Sequence, residues 1–297
     1  MFWSTAVIFY AHWFLFSLTT HNEDTDIRGR YIMAKKFAGQ VVLITGASAG
    51  IGAQLAREFH QEGAVVALCA RRTELLEELA VEMKDRAHVY PMDVTDHSQV
   101  EAVCAKVAAD LGKIDIVVAN AGYVVSGPFE ALSEAMWRKQ FETNVFGVVW
   151  TCQAALPFLK ITKGRLVIMS SVAGMISSRK MSAYNASKFA LVGLANCLYQ
   201  ELYPYGITVT NIAPGMVESQ IAKVDNLGAF VKDRADKRPA RFLMPTALAA
   251  KEMLVGIYQR KRCVVITGHG KFAAFLASYL PGLTYWTLRR SSFRAEL

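Results

Sequence analysis

The sequence predicts an α/β fold built on a doubly wound, parallel sheet. Three observations carry that expectation. Short apolar runs alternate with helical patterns from residue 41 to residue 268. The runs are rich in Val and Ile and nearly continuous in hydrophobicity, as strands buried on both faces are. A glycine-rich turn joins the first run to the first helical pattern.

Taken in order, strands are expected at VVLIT (41–45), AVVALCA (64–70), HVYPMDV (88–94), IDIVVAN (114–120), RLVIMSS (165–171), ITVTNIA (207–213) and CVVITG (263–268). Helical stretches separate them, among them AQLAREFHQEG (53–63) and SQVEAVCAKVAADLG (98–112). Strand and helix in alternation imply crossover connections, and so parallel strands with helices on both faces. No repeat, low-complexity tract or linker interrupts this region, so it reads as a single domain.

The chain has 297 residues, 53% of them hydrophobic and 20% charged. That is enough apolar material for a substantial core, and it excludes a disordered chain. The net charge of +8 suits anionic partners, such as a phosphorylated cofactor or an anionic membrane surface. Basic residues are not interleaved with aromatic ones in runs, so nucleic acid is not expected as a partner. The five cysteines are odd in number, scattered and without a CxxC pair. They read as free thiols in a reducing compartment, and no metal-ligand spacing is present.

Hydrophobic extensions are expected at both ends of a catalytic domain at 33–268. Residues 1–18 carry no charged side chain, and Arg28, Arg30, Lys35 and Lys36 follow. About 20 apolar residues span a bilayer, so the run is of marginal length. As an anchor it would leave the domain on the cytoplasmic side, beside those cations. The other reading of 1–32 is a dispensable extension ahead of a domain that starts at Met33, soluble in the cytoplasm. The segment 269–297 repeats the theme. "FAAFLASYLPGLTYWTL" (272–288) is uncharged, Arg289, Arg290 and Arg294 follow, and Pro281-Gly282 rules out one straight spanning helix. It reads either as a helix in a membrane interface or as a segment packed over the pocket or a dimer contact.

The first turn, TGASAGIG, contains Gly46, Ser48, Ala49, Gly50, Ile51 and Gly52. Glycines there permit a tight turn and let backbone amides approach a pyrophosphate at a helix N-terminus. The second strand ends in Arg71 and Arg72, where a carboxylate would grip ribose hydroxyls. Guanidinium groups pair with phosphate, which favours NADP(H) over NAD(H). Asp93, followed by Val94, is placed to accept from an adenine amino group. Asn120, Ala121 and Gly122 lie beyond the fourth strand, where a ligand of such a sheet sits.

Together these motifs resemble the short-chain dehydrogenase/reductase family. The resemblance runs through TGASAGIG (45–52), DV (93–94), NAG (120–122), Asn144 in FETNVFG, Ser171, YNASK (184–188) and PG (214–215). It covers about residues 38 to 268. It implies a Rossmann-like seven-stranded sheet, a nicotinamide cofactor, and hydride transfer between that cofactor and an alcohol or ketone. It also implies cofactor contacts from Pro214, Gly215, Val217 and Ser219; Ser219 stands where the family often has Thr. Family members commonly form dimers or tetramers. The hydrophobic ends resemble those of membrane-associated members that act on lipids, steroids or retinoids.

Ketone reduction needs a proton as well as a hydride. Tyr184 lies four residues before Lys188 and thirteen after Ser171. Four residues put the phenol and the amine on one helix face. A phenol with an ordinary pKa of ~10 is poorly matched to neutral pH. A neighbouring ammonium is expected to lower it. The resemblance gives Lys188 a second role on the nicotinamide ribose, gives Ser171 the substrate oxygen, and gives Asn144 a water linking Lys188 to solvent. The resemblance also implies that the segment Met216–Phe242 closes over the substrate, expected to be a lipophilic carbonyl or alcohol such as a sphingoid, fatty, steroid or retinoid compound. A 3-oxoacyl-carrier reductase and a non-catalytic NADPH-binding membrane scaffold are the alternatives.

Overall fold

The computed structural model describes residues 35–236 and 238–290. The extension expected at 1–32, with its anchor, lies outside them. From Phe37 on, the described residues form one compact unit.

Seven strands form at the apolar runs: β1 Val41–Thr45, β2 Val65–Ala70, β3 Ala87–Pro91, β4 Ile116–Ala119, β5 Arg165–Met169, β6 Thr208–Pro214 and β7 Cys263–Ile266. They make one sheet in the order β3-β2-β1-β4-β5-β6-β7. Every neighbouring pair is parallel. The doubly wound sheet expected from the sequence is the one observed. Its order reverses between β1 and β4, because β2 and β3 grow outward on one side and β5 to β7 on the other.

The helices are α1 Gly50–Gln61, α2 Thr73–Met83, α3 His97–Leu111, α4 Glu134–Phe141, α5 Gly147–Thr162, α6 Ser182–Glu201, α7 Thr246–Tyr258, α8 Gly268–Tyr279 and α9 Pro281–Arg290. Side chains alternate across a strand with period two. Val42 and Ile44 of β1 therefore pack with Leu55 and Phe59 of α1, Leu76 of α2 and Met253 of α7. Val41 and Leu43, one residue out of phase, pack with Val103 of α3, Leu159 of α5 and Leu191 of α6 on the opposite face. Burying a Leu, Ile or Phe fully contributes about 1.5–3 kcal/mol, and both faces of the sheet collect that gain.

Helix ends follow local chemistry. Asp96 caps α3 by accepting from the Gln99 amide at 3.0 Å, and Gly112 ends it in the left-handed region. The π-helical turn Glu142–Phe146 joins α4 to α5. The resulting run, 134–162, is long and apolar enough to cross a bilayer. Its inward face is already occupied, since Gln140, Asn144 and Thr151 are buried in the domain and α5 packs on α3.

Among its described residues the segment after β6 forms no long helix. It is built from the short turns Gln220–Lys223 and Ala240–Phe242 and a bridge between Val224 and Phe230. The hydrophobic C-terminal run forms two helices because Pro281 takes the first position of α9, where a missing N–H costs nothing.

Candidate active site

A cavity of about 1100 Å³ opens at the carboxyl ends of the strands. It lies where the strand order reverses, the place at which open α/β sheets bind ligands. All the residues singled out in the sequence line it except Asn144.

The glycine turn leaves β1 at Gly46, whose φ of +67° lies in the left-handed region. A Cβ there would also stand 2.9 Å from the Ala121 Cα. Close approach of the two strand ends therefore requires glycine. Asn120 ties those ends together by donating to the Thr45 carbonyl at 2.9 Å. The first turn of α1 supplies Gly50, Ile51 and Gly52 to the cavity wall, and no side chain caps it at Ala49. Its free amides and the positive end of the helix dipole suit an anion.

Beyond β2, Arg72 donates to the Ser48 hydroxyl at 3.1 Å. Arg71 stands 3.9 Å from the Asp93 carboxylate. Burial and the neighbouring Arg71 charge hold the Arg72 guanidinium below its usual value. Asp93 uses its other oxygen to accept from the Thr95 amide at 3.0 Å and the Thr95 hydroxyl at 2.9 Å. A dinucleotide fits this donor set: free helix amides at one end and two crowded guanidiniums at the other.

The reactive groups converge from two elements. Ser171 follows β5 and caps the short turn Val172–Gly174. Its hydroxyl accepts from the Ala173 amide at 3.1 Å and donates to the Pro214 carbonyl at 3.2 Å. Tyr184 lies in the first turn of α6, and Lys188 lies one turn later. Both are buried.

The Lys188 ammonium donates to the Met169 carbonyl at 2.8 Å and stands 5.7 Å from the centre of the Tyr184 ring. Burial pulls Lys188 down to about 8. Burial also pushes the Tyr184 phenol up, opposed by the Ser171 hydroxyl and by the charge of Arg238. The phenol thus departs from the sequence expectation. In the protein alone, desolvation outweighs its neighbours, and Lys188 is turned to a backbone carbonyl.

Asn144 sits behind the wall on the π turn, fully buried. It accepts from the Tyr123 amide at 3.0 Å and donates to the Tyr123 carbonyl at 2.9 Å and the Ser187 hydroxyl at 3.3 Å.

Two cavity residues escape a reading of the sequence. Arg238 belongs to a charged stretch that reads as a solvated surface. Its guanidinium instead donates to the Val217 carbonyl at 2.9 Å and the Ser219 carbonyl at 3.2 Å. Asp236 holds it at 2.7 Å. His269, at the start of α8, accepts from the Met216 amide at 3.3 Å. Together they hold the loop after β6 from both sides. The loop begins at Gly215, where a Cβ would stand 2.2 Å from the Thr267 hydroxyl oxygen. Among the described residues no group of acidic, His or Cys side chains is arranged to hold a metal ion. Cys69, Cys104 and Cys152 are free and buried, and burial raises all three thiols.

Comparison with known proteins agrees with this geometry. The family profile described as short chain dehydrogenase matches residues 40–228. The 11-beta-hydroxysteroid dehydrogenase 1A of Arabidopsis thaliana is 34% identical over 271 residues, covering 87% of this chain and 77% of that protein. The crystal structure of a short-chain dehydrogenase from Streptomyces avermitilis superposes with a TM-score of 0.71 at 31% identity, covering 84% of this chain and 96% of that one. An alcohol dehydrogenase of the archaeon Thermococcus sibiricus, complexed with 5-hydroxy-NADP, gives 0.66 at 26% identity over 76% of this chain and 95% of its own. The profile and the relative each cover enough of the chain to fix its kinship: it belongs to the short chain dehydrogenase family and is an oxidoreductase.

Proposed function

We propose that the protein is an NADP(H)-dependent oxidoreductase that interconverts a carbonyl and an alcohol on a lipophilic substrate. One observation carries the reading: Ser171, Tyr184 and Lys188 share a single cavity with the glycine turn and the Arg71–Arg72 pair.

The amides of Gly50, Ile51 and Gly52 would hold the cofactor's diphosphate, and Arg71, Arg72 and Ser48 its ribose phosphate. Two guanidiniums side by side repel, and an anion between them removes that penalty. Asp93 and Val94 would hold the adenine side, Asn120, Ala121 and Gly122 the middle of the dinucleotide, and Pro214, Gly215, Val217 and Ser219 the nicotinamide side.

When bound, the nicotinamide supplies the hydride. The chain's own residues handle the proton. Tyr184 donates its phenolic proton to the carbonyl oxygen as the alcohol forms. Ser171 donates a hydrogen bond to that oxygen as charge grows on it, giving up its contact with the Pro214 carbonyl. Lys188 brings a cation beside the phenol and returns its proton after turnover. Asn144 acts from behind the wall. Its hold on Tyr123 fixes the end of the 120–122 turn next to Lys188, and a water held between Asn144 and Lys188 would relay the proton from solvent.

The lipophilic substrate is supported by the apolar wall formed by Ile176, Met181, Ile221 and Val224. The uncharged runs at both ends of the sequence support a membrane-associated protein with its catalytic domain on the cytoplasmic side, and a dimer or tetramer agrees with the family's habit. Purified protein, incubated with NADPH and a panel of long-chain and polycyclic ketones in detergent, should oxidise NADPH faster than with short water-soluble ketones. NADPH oxidation on acyl-carrier substrates alone would assign the protein to carrier-bound chains instead. No oxidation with any carbonyl, despite tight NADPH binding, would leave only a scaffold.

A further inference from the structure

Helices α8 and α9 carry an apolar face that the domain does not cover. On α8, Phe272, Phe275 and Tyr279 recur at helical spacing along one side, and on α9 Leu283, Tyr285 and Trp286 continue it. These six side chains are 44–66% exposed. The opposite sides are anchored: Gly270 and Ala274 of α8 and Thr284 of α9 are buried. An uncovered patch of this size on a folded domain marks an interaction surface.

Its chemistry selects the partner. From residue 268 to residue 290 there is no carboxylate, and the cations are Lys271, Arg289 and Arg290. Lys271 is paired with Glu252 at 3.4 Å. The arginines end α9, and Arg290 stacks on Trp286 at 4.3 Å. Aromatic rings beside arginines are the composition of a helix at the lipid–water boundary. With 12 and 10 residues the two helices are about 18 Å and 15 Å long. Neither reaches across a hydrocarbon core of about 30 Å, so a spanning arrangement does not suit them and a surface one does. Ala273 of α8 and Leu288 of α9 also line the cavity, so the two helices that carry the exposed rings border the site as well.

We propose that the α8–α9 pair is a docking surface for an anionic lipid bilayer, with its rings in the acyl boundary and Arg289 and Arg290 at the headgroups. Docking sets the cavity mouth against the membrane, where a lipophilic substrate enters without crossing water. The proposal rests on the membrane-associated part of the proposed function, not on its chemistry, so its test uses neither NADPH nor substrate.

The experiment is hydrogen exchange on the full chain, with mass-spectrometric readout of residues 268–290. It is run alone, with phosphatidylcholine vesicles, and with vesicles containing about 30% phosphatidylserine. The expected result is several-fold slower exchange across 272–288 with the anionic vesicles and less slowing with neutral ones. The double variant Phe275→Glu/Trp286→Glu should lose that protection while keeping the exchange pattern of the sheet. Should that variant fail to fold, Arg289→Glu/Arg290→Glu changes only exposed charges and should abolish the preference for anionic vesicles. Vesicle-bound protein whose 272–288 amides exchange as in solution would overturn the proposal. So would protection that needs no vesicles and grows with protein concentration alongside a doubling of mass, which would assign the face to a second copy of the chain.

Discussion

Lys188 gives its ammonium to the carbonyl of Met169 at 2.8 Å, so the last residue of β5 holds the lysine of α6. This bond fixes a buried cation at the sheet end, and its cost is measurable.

The folded value of Lys188 lies near 8, below the ordinary 10.5, because burial disfavours the ammonium. Between those values the unfolded chain binds more protons than the folded one, so stability rises with pH across the window. Below about 8 the penalty is present in full. Denaturant unfolding of the protein and of Lys188→Met at pH 7 and pH 10 checks this. The variant's stability relative to the parent should be higher at pH 7 than at pH 10, and an unchanged difference would deny that the lysine is held charged against burial.

Arg72 combines a bond to Ser48 with a charge conflict with Arg71. In the proposed cofactor site both arginines face a ribose phosphate. Replacing Arg72 with Ala should raise the KM for NADPH by roughly tenfold to a hundredfold, the worth of a charged hydrogen bond, and leave that for NADH nearly unchanged. Steady-state kinetics with both cofactors measures it. Equal effects on the two would place the phosphate elsewhere.

Tyr123 is buried on the cavity wall, and its hydroxyl has no hydrogen-bond partner within the described structure. Burial pushes that phenol up to about 12. An unpaired buried hydroxyl costs about 1–3 kcal/mol, so Tyr123→Phe should be neutral or stabilising by about 1 kcal/mol. Thermal unfolding reads the sign, and a marked loss of stability would mean the hydroxyl has a partner.

The sheet was legible because its signal is local. Val41 to Thr45 and the other six runs are nearly continuous in hydrophobicity, and strands buried on both faces need no tertiary information to be found. Boundaries were less sharp: the third run was expected to reach Val94, but pairing stops at Pro91 and Asp93 starts a turn around Thr95. The cavity residues were legible from order and spacing, which a continuous helix preserves from Tyr184 to Lys188. What stayed hidden depends on distant partners. Nothing near Arg238 in sequence tells that its guanidinium turns inward to two carbonyls of the loop after β6. Nor does the composition of 216–242 show how this segment is held, since Asn226 donates to the Ser126 carbonyl at 2.8 Å across a hundred residues of chain. The phenol was misjudged for a related reason. Helical spacing brings the lysine near, but it gives no measure of desolvation.

The central claim is that the Tyr184 hydroxyl is the proton donor in a hydride-transfer reaction. Its most direct measurement is the single-turnover rate of Tyr184→Phe mixed with NADPH and a reducible ketone, with NADPH affinity measured on the same protein. Loss of a positioned acid lowers the rate by about a hundredfold to ten-thousandfold, and affinity should stay within a few-fold of the parent. A variant that binds NADPH normally and reduces the ketone at the parent's rate would contradict the account.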